Sequence, residues 1–463
     1  MNMEINRGPR SSLLQAFALF LALPLTAGLA WSGGPQIQQW TTDAGTRVHL
    51  VESRSIPMID IRIDFAAGSA YDPPGREGLA GLTRDLLESG TRDLDEQALA
   101  ESVADTAARI GGSTDNDRAG LTIRTLSSET ERDAAVAIAA ELLAHPTFPQ
   151  PALDRERMRR IAALRDSLTR PSTLAARHYS AAVFADHPYG RLISLESLQA
   201  IERDDLVAFH RQRYVADNAT ISIVGDVDRT TAEQIALTLT RDLGVGAPDA
   251  RLPAPALPPA STEHVPHPSA QAHIAAGMPG LAREDPDYYP LLVGNHVLGG
   301  GGFTSRLMRE VRDRRGFAYS VYSYFHPHRV PGPFQIGLQT RGAQAEEALE
   351  VVREVLADFI ADGPTEDELL AARDNIVNGF GLRLDSNGKI LDHVAMIAFY
   401  ELPLDWLETY PEHIAAVTAD DVRNAFARRI RPENLVVVVA GGDGDRADDA
   451  PPPGNEQSTA DTH

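Results

Sequence analysis

Gly78-Leu-Ala-Gly-Leu-Thr-Arg-Asp-Leu-Leu-Glu-Ser-Gly90-Thr91 is the stretch on which the reading of this chain turns. Leu79, Leu82 and Leu86 recur at helical spacing, which predicts an amphipathic helix with the three leucines facing a core, closed at Gly90. Taken alone it is a core helix and nothing more. Upstream, Thr46 to Glu52 and Ile59 to Phe65 alternate with period two around Ser55-Ile56-Pro57 and predict a hairpin. Downstream, Asp95 to Ile110 reads as a helix capped by Asp95 and stopped by Gly111-Gly112. Leu121 to Leu126 reads as a strand. Ser128-Glu129-Thr130-Glu131 reads as a capping box opening a helix to about Leu143, and a long polar helix starts near Pro151.

The widest signal is an internal repeat. Leu198 to Gly225 aligns without gaps to Ile414 to Gly441 at a constant offset of 216 residues, so that Ala200, Asp204, Asp205, Arg213, Asn218 and Gly225 recur as Ala416, Asp420, Asp421, Arg429, Asn434 and Gly441. Such a period is too long for a solenoid unit and marks duplicated domains. Alternating strand and helix patterns within each copy predict α+β domains. The Pro-rich stretch Gly246 to Thr262 reads as a semi-rigid linker between residues 31–245 and 263–442, and residues 443–463 lack hydrophobic periodicity and read as a disordered tail.

The whole chain has 463 residues, 43 basic and 65 acidic, for a net charge of -22. That balance argues against nucleic acid and anionic membrane surfaces as partners. No cysteine is present, which removes disulfides, thiolate metal sites, cysteine nucleophiles and lipidated cysteine. Arg7 and Arg10 precede an apolar run from Leu13 to Ala30 that ends in small residues, the layout of a signal peptide (1–30) cleaved near Ala30, with an uncleaved anchor as the alternative. An exported, periplasmic location and no membrane insertion after cleavage are the expectations. Of the 14 histidines no two lie four apart; His264, His267, His326 and His328 sit in Pro-containing segments and are expected at the surface.

Phe65-Ala-Ala-Gly-Ser-Ala-Tyr-Asp-Pro-Pro-Gly-Arg-Glu-Gly-Leu-Ala, with Gly90-Thr91, resembles the pitrilysin/insulinase-type zinc metallopeptidase family, whose helix carries H-x-x-E-H at this place. In that motif two imidazoles one turn apart hold the metal and the Glu acts as general base. Here the five positions read Gly81, Leu82, Thr83, Arg84 and Asp85, so neither ligand nor base is present and no metal is expected in this chain. The third family ligand, a Glu, falls near Ala162 or Ala163, with Asp166 out of frame. His187-Pro188-Tyr189-Gly190-Arg191 matches a further landmark, although a His before Pro in a loop reads by itself as a surface residue.

In the second half, Leu298-Gly-Gly-Gly-Gly-Phe-Thr-Ser-Arg-Leu307 and Val311-Arg-Asp-Arg-Arg-Gly-Phe-Ala-Tyr-Ser320 resemble the same family. The resemblance implies that Arg312 and Tyr319 reach the peptide carbonyls at the active site, and that Gly299, Gly300, Gly301 and Gly302 form a flexible or closely packed loop beside the substrate path. Without the resemblance, Arg312 reads as one surface cation among Arg306, Arg309, Arg314 and Arg315, and Tyr319 as a core residue. The family also implies a clam-like pair of homologous α+β domains, each a mixed or antiparallel sheet packed with helices. Some small members divide labour between a chain with the zinc motif and a chain with the Arg/Tyr pair, and this sequence looks like the second kind. The implied partner is a chain of similar length carrying H-x-x-E-H and the zinc; the implied substrate is a peptide. The competing expectation is a non-proteolytic scaffold or peptide-binding protein of the same fold.

Overall fold

The computed structural model describes residues 34–246 and 251–442. The expected leader and tail therefore lie outside the described residues. Two mixed sheets form the frame. The first contains β1 (Gln38–Thr41), β2 (Arg47–Glu52), β3 (Met58–Phe65), β4 (Arg109–Thr114), β5 (Ala119–Leu126) and β6 (Ala219–Gly225), in the order β1-β2-β6-β3-β5-β4. The second contains β7 (Ser261–Val265), β8 (Gln271–Leu281), β9 (Ala318–Phe325), β10 (Gly332–Arg341) and β11 (Val436–Gly441), in the order β7-β11-β8-β10-β9. The pairs β2/β6 and β7/β11 are parallel and the rest antiparallel. This is the expected α+β architecture of two like domains.

Several local expectations are corrected. The hairpin from Thr46 to Phe65 does not form, because β6 lies between β2 and β3. Every residue of β6 is buried, Thr220 and Ser222 included, and a strand covered on both faces lies inside its sheet rather than at an edge. The helix after Asp95 spans Glu96–Asp105, with the Asp95 carboxylate accepting from the Ala98 N–H at 2.9 Å. It does not run to Gly111: Ala107 turns the chain at φ +53°, and Gly111-Gly112 lie within edge strand β4. The helix Glu129–Ala144 is present, but Ser128 Oγ donates to Glu131 Oε2 rather than capping the backbone. The end of the expected linker, Ser261 and Thr262, belongs to β7.

The duplication extends further than the sequence match. The helices Pro171–Val183 and Asn387–Phe399 correspond end to end at the same 216-residue step, as do Arg203–Arg213 and Ala419–Arg429. The first pair is exchanged between the halves. Pro171–Val183 lies on β8 and β11 of the second sheet, where Ala175, Tyr179 and Val183 pack with Ala275, Val436 and Val438. Asn387–Phe399 lies on β2, β3 and β6 of the first, where Leu391 and Val394 meet Val51 and Val224.

This exchange explains the polar alternation of β3. Ile59, Ile61 and Ile63 face the main core of the first half, while Asp60 and Asp64 on the other face are also buried. A charge buried without a partner is costly, and here each carboxylate is paired. Asp60 accepts from Arg124 at 2.7 and 3.1 Å, and Asp64 from Arg62 at 2.9 Å and Arg118 at 3.1 Å. At the seam, fully buried Asp117 accepts from Tyr189 Oη at 2.5 Å, Tyr400 Oη at 2.8 Å and the Arg329 N–H at 2.9 Å.

Candidate functional site

The helix Leu79–Asp85 is held at its start by a carboxylate. Asp72 accepts from the Gly78 N–H at 2.8 Å and the Ala80 N–H at 2.7 Å, supplying acceptors for donors that have no partner within the helix. Burial pushes the Asp72 carboxyl up to about 7 in spite of these donors. Gly78 sits at φ +105°, with Leu198 Cδ2 only 3.1 Å from where a Cβ would stand, so glycine alone fits without strain. Leu79, Leu82 and Leu86 are buried as the periodicity predicts.

A closed ionic cluster forms around the C-terminal end of this helix. Buried Arg84 donates from Nη1 to Asp85 at 3.1 Å and from Nη2 to Glu88 at 2.8 Å. Burial pushes the Glu88 carboxyl up, against the pull of the Arg84 guanidinium. Across from it, on the helix Gln150–Ser167, Arg160 donates from Nη2 to the other Asp85 oxygen and from Nε to Glu156 at 2.8 Å. Burial works to raise Glu156, but hydrogen bonds from Arg159 and Arg160 hold it below the usual carboxylate range. A Cβ built on Gly81 would stand 2.9 Å from Arg160 Nη1. The guanidinium therefore occupies the room left by the missing side chain.

Zinc does not fit these residues. Gly81 offers no ligand, Asp85 is engaged by two guanidinium groups, and Arg160 already supplies a positive charge in the socket. Ala162 and Ala163 are exposed, and the residue of the Gln150–Ser167 helix that meets the socket is Arg160. Among the described residues no group of three His, Asp or Glu side chains is placed to hold a metal ion. The socket helix packs on β4 and β5, and β4 is the outer strand of its sheet. Two cations and the open edge of a strand thus lie side by side, with Arg84 Nε 2.8 Å from where a Cβ on Gly112 would be.

The second candidate surface lies on the other sheet. Arg312 lies in the last turn of a helical segment, Met308–Asp313, and Tyr319 is the second residue of edge strand β9. The fold brings them together: the Arg312 guanidinium carbon is 5.6 Å from the Tyr319 ring centroid, and Tyr319 is 87% exposed rather than a core residue. Phe303, which the sequence reading did not single out, stands 5.0 Å from the same guanidinium and is 71% exposed. Its place directly after a glycine run was the signal. The neighbouring arginines have other duties: Arg306 and Arg309 bind Glu368, and Arg314 and Arg315 bind Glu310.

The glycine run is closely packed at its start. Gly299 and Gly300 belong to the helical turn His296–Gly300, and a Cβ on Gly299 would stand 2.4 Å from Ser323 Oγ. Gly301 N–H donates to the His296 carbonyl at 2.8 Å, and Gly302 turns the chain at φ +61°. Two histidines expected at the surface are buried instead. His187 bonds through Nε2 to the Pro253 carbonyl at 2.8 Å and accepts from the Tyr189 N–H at Nδ1, and His328 packs beside Tyr189 at the seam.

Comparison with known proteins agrees with this geometry. Residues 47–195 match the family model described as Insulinase (Peptidase family M16), and residues 200–376 match Peptidase M16 inactive domain. A solved structure described as a peptidase M16 inactive domain from Pseudomonas fluorescens is 36% identical, with a TM-score of 0.84, over 88% of this chain and 97% of that one. An uncharacterized zinc protease of Streptomyces coelicolor is 26% identical over 421 residues, 87% of this chain and 89% of its own. The non-peptidase homolog YmxG of Helicobacter pylori is 25% identical over 432 residues, 92% of this chain and 98% of its own. With its two like domains, its exchanged helices and Arg160 packed against Gly81, the chain belongs to the insulinase (M16) peptidase family as a member without the zinc motif.

Proposed function

We propose that this chain is the zinc-less subunit of an exported two-chain metalloendopeptidase, presenting Arg312 and Tyr319 to a peptide held at the zinc site of a similar-length partner that carries H-x-x-E-H. The observation that carries the reading is the contrast between the two surfaces. The chain's own socket is closed by paired charges, while Arg312 and Tyr319 stand together with the phenol open to solvent. A guanidinium and a phenol stabilise charge developing on a scissile carbonyl oxygen when they are held in place before reaction. The exposed edges of β4 and β9 suit an extended peptide, which pairs with a strand edge through its backbone. Export rests on the charged and apolar layout of residues 1–30, and the mature N-terminus checks it.

The test is a mixed complex. Co-purified with its zinc-bearing partner, the parent cleaves peptides, and Arg312→Ala lowers kcat/KM about a hundredfold with assembly and the partner's zinc unchanged. Tyr319→Phe removes the phenol alone. Arg312→Lys restores little, because an ammonium lacks the planar fork. Parent-like cleavage by all three variants would leave the second reading, a peptide-binding scaffold, which the name of the Helicobacter pylori relative favours.

A further inference from the structure

The turn that carries Phe303 is built to hold one exposed ring in place. Gly302 adopts φ +61°, and Gly302–Thr304 forms a single tight turn. Gly301 N–H donates to the His296 carbonyl at 2.8 Å, Thr304 Oγ1 to the Gly301 carbonyl at 3.0 Å, and Ser305 Oγ and N–H to the Gly302 carbonyl at 2.8 and 3.1 Å. Ser305 is fully buried, so the turn is anchored to the body of the domain at its C-terminal side. An exposed phenylalanine on so fixed a turn gains little from burial. What it does contact is the Arg312 guanidinium, which also lies near the Tyr319 ring.

We propose that Phe303 is a positioning residue for Arg312: its ring face holds the guanidinium beside Tyr319, so that both donors meet the peptide carbonyl in one fixed arrangement. This rests on the reading that Arg312 and Tyr319 serve a partner's active site. The physical need is clear from the side chain itself. Arg312 has a long flexible stem and one ionic partner, Asp313 at 3.1 Å, that is its own chain neighbour and half exposed. A single exposed pair of this kind fixes a guanidinium poorly. A ring face within about 6 Å attracts the cation over a broad area and restricts it without using its N–H donors, which stay available to an oxygen acceptor. Phe303 thus supplies orientation while leaving the donors free.

The kinetic test uses the mixed complex of this chain with its zinc-bearing partner. Phe303→Leu keeps apolar bulk but removes the ring face, and is expected to lower kcat about fivefold with KM within twofold of the parent. Phe303→Tyr keeps the face and restores the parent rate. Since Phe303 acts through Arg312, adding Phe303→Leu to Arg312→Ala should cost nothing further. An unchanged rate in Phe303→Leu, an effect confined to KM, or a full fivefold loss on top of Arg312→Ala would overturn the proposal while leaving the subunit reading intact. A parent-like rate in Arg312→Ala would overturn the subunit reading itself.

A second measurement needs no partner. In the isolated chain with labelled arginine, the Arg312 side-chain signal, assigned by its loss in Arg312→Lys, carries ring-current shifts from its aromatic neighbours. Phe303→Leu should move it and Phe303→Tyr should leave it nearly in place. A signal that does not move in Phe303→Leu means the ring does not hold the guanidinium, and the proposal fails.

Discussion

The Asp85 carboxylate accepts from Arg160 on one oxygen and from Arg84 on the other, so one side chain joins the helix Leu79–Asp85 to the helix Gln150–Ser167. An ion pair thus ties the two helices. Asp85 and Arg160 are 32% and 22% exposed, so solvent screens part of their attraction. Arg160→Ala is expected to cost about 1 kcal/mol, read as a lower denaturant midpoint in urea. Arg160→Lys should recover part of it, because the charge remains and the second donor is lost. An unchanged midpoint in Arg160→Ala would mean that core packing alone holds the two helices together.

Asp117 holds a different junction. It lies in the first half and accepts two phenol donors and a backbone N–H, with Tyr400 and Arg329 coming from the second half. Asp117→Ala leaves three donors without an acceptor in a fully buried place, a loss of about 3 kcal/mol or more. Tyr400→Phe removes only one bond and should cost about 1 kcal/mol. If thermal unfolding of Asp117→Ala matches that of Tyr400→Phe, the carboxylate does not organise the seam.

Acid should weaken the fold before it protonates the surface carboxylates. Burial lowers His49, His210 and His328 to about 4, so between their unfolded values near 6.5 and pH 4 the unfolded chain binds protons that the folded chain does not. The stability these groups contribute is complete above pH 6.5 and is lost as pH falls through that window. Asp72, raised to about 7, acts in the opposite sense: its contribution is present below the unfolded carboxylate range and is lost as pH rises through 7. Glu88, also raised by burial, acts with Asp72, while His187, His273, His296, His326 and His393 are lowered like the first three, so the histidines outweigh the two carboxyls and the net slope is positive between pH 4 and 6.5. His210→Gln, which keeps a donor for the Leu143 carbonyl, should remove about one proton from that slope. A denaturation midpoint that is flat from pH 6.5 to pH 4 would contradict the assignment.

What the sequence revealed follows the range of the interactions involved. The Asp95 cap, the leucine face of the helix Leu79–Asp85 and the duplication depend on neighbours or on direct self-comparison, and all were legible. Strand order was not, because β6 enters the first sheet from over 150 residues downstream of β3. The burial of Asp60 and Asp64 was likewise hidden. In sequence they alternate as a wet face would, and only the exchanged helix Asn387–Phe399 covers them. The absence of a zinc motif was plain at Gly81, Arg84 and Asp85. What fills the socket was not, since Arg160 is brought there by the packing of two helices and reads in sequence as one more arginine on a polar surface.

That placement of Arg160 leads to the last prediction, which concerns the socket's ancestry in chemical terms. If the frame still matches the family's geometry, the substitutions Gly81→His, Arg84→Glu and Asp85→His restore the H-x-x-E-H ligands and base on the right helix. They should not suffice. A Cβ at position 81 stands 2.9 Å from Arg160 Nη1, and a guanidinium in the socket repels the metal while offering no lone pair. Adding Arg160→Glu removes the cation, relieves that contact and supplies a carboxylate from the Gln150–Ser167 helix. The four-substitution chain is therefore expected to retain one zinc per chain through mild chelation, and the three-substitution chain none. Pairing the same three changes with Ala162→Glu decides the position of the third ligand, because Ala162 is exposed on the helix and Arg160 still fills the socket. Zinc bound equally by the Ala162→Glu chain would show that the helix presents residue 162, not residue 160, to the metal.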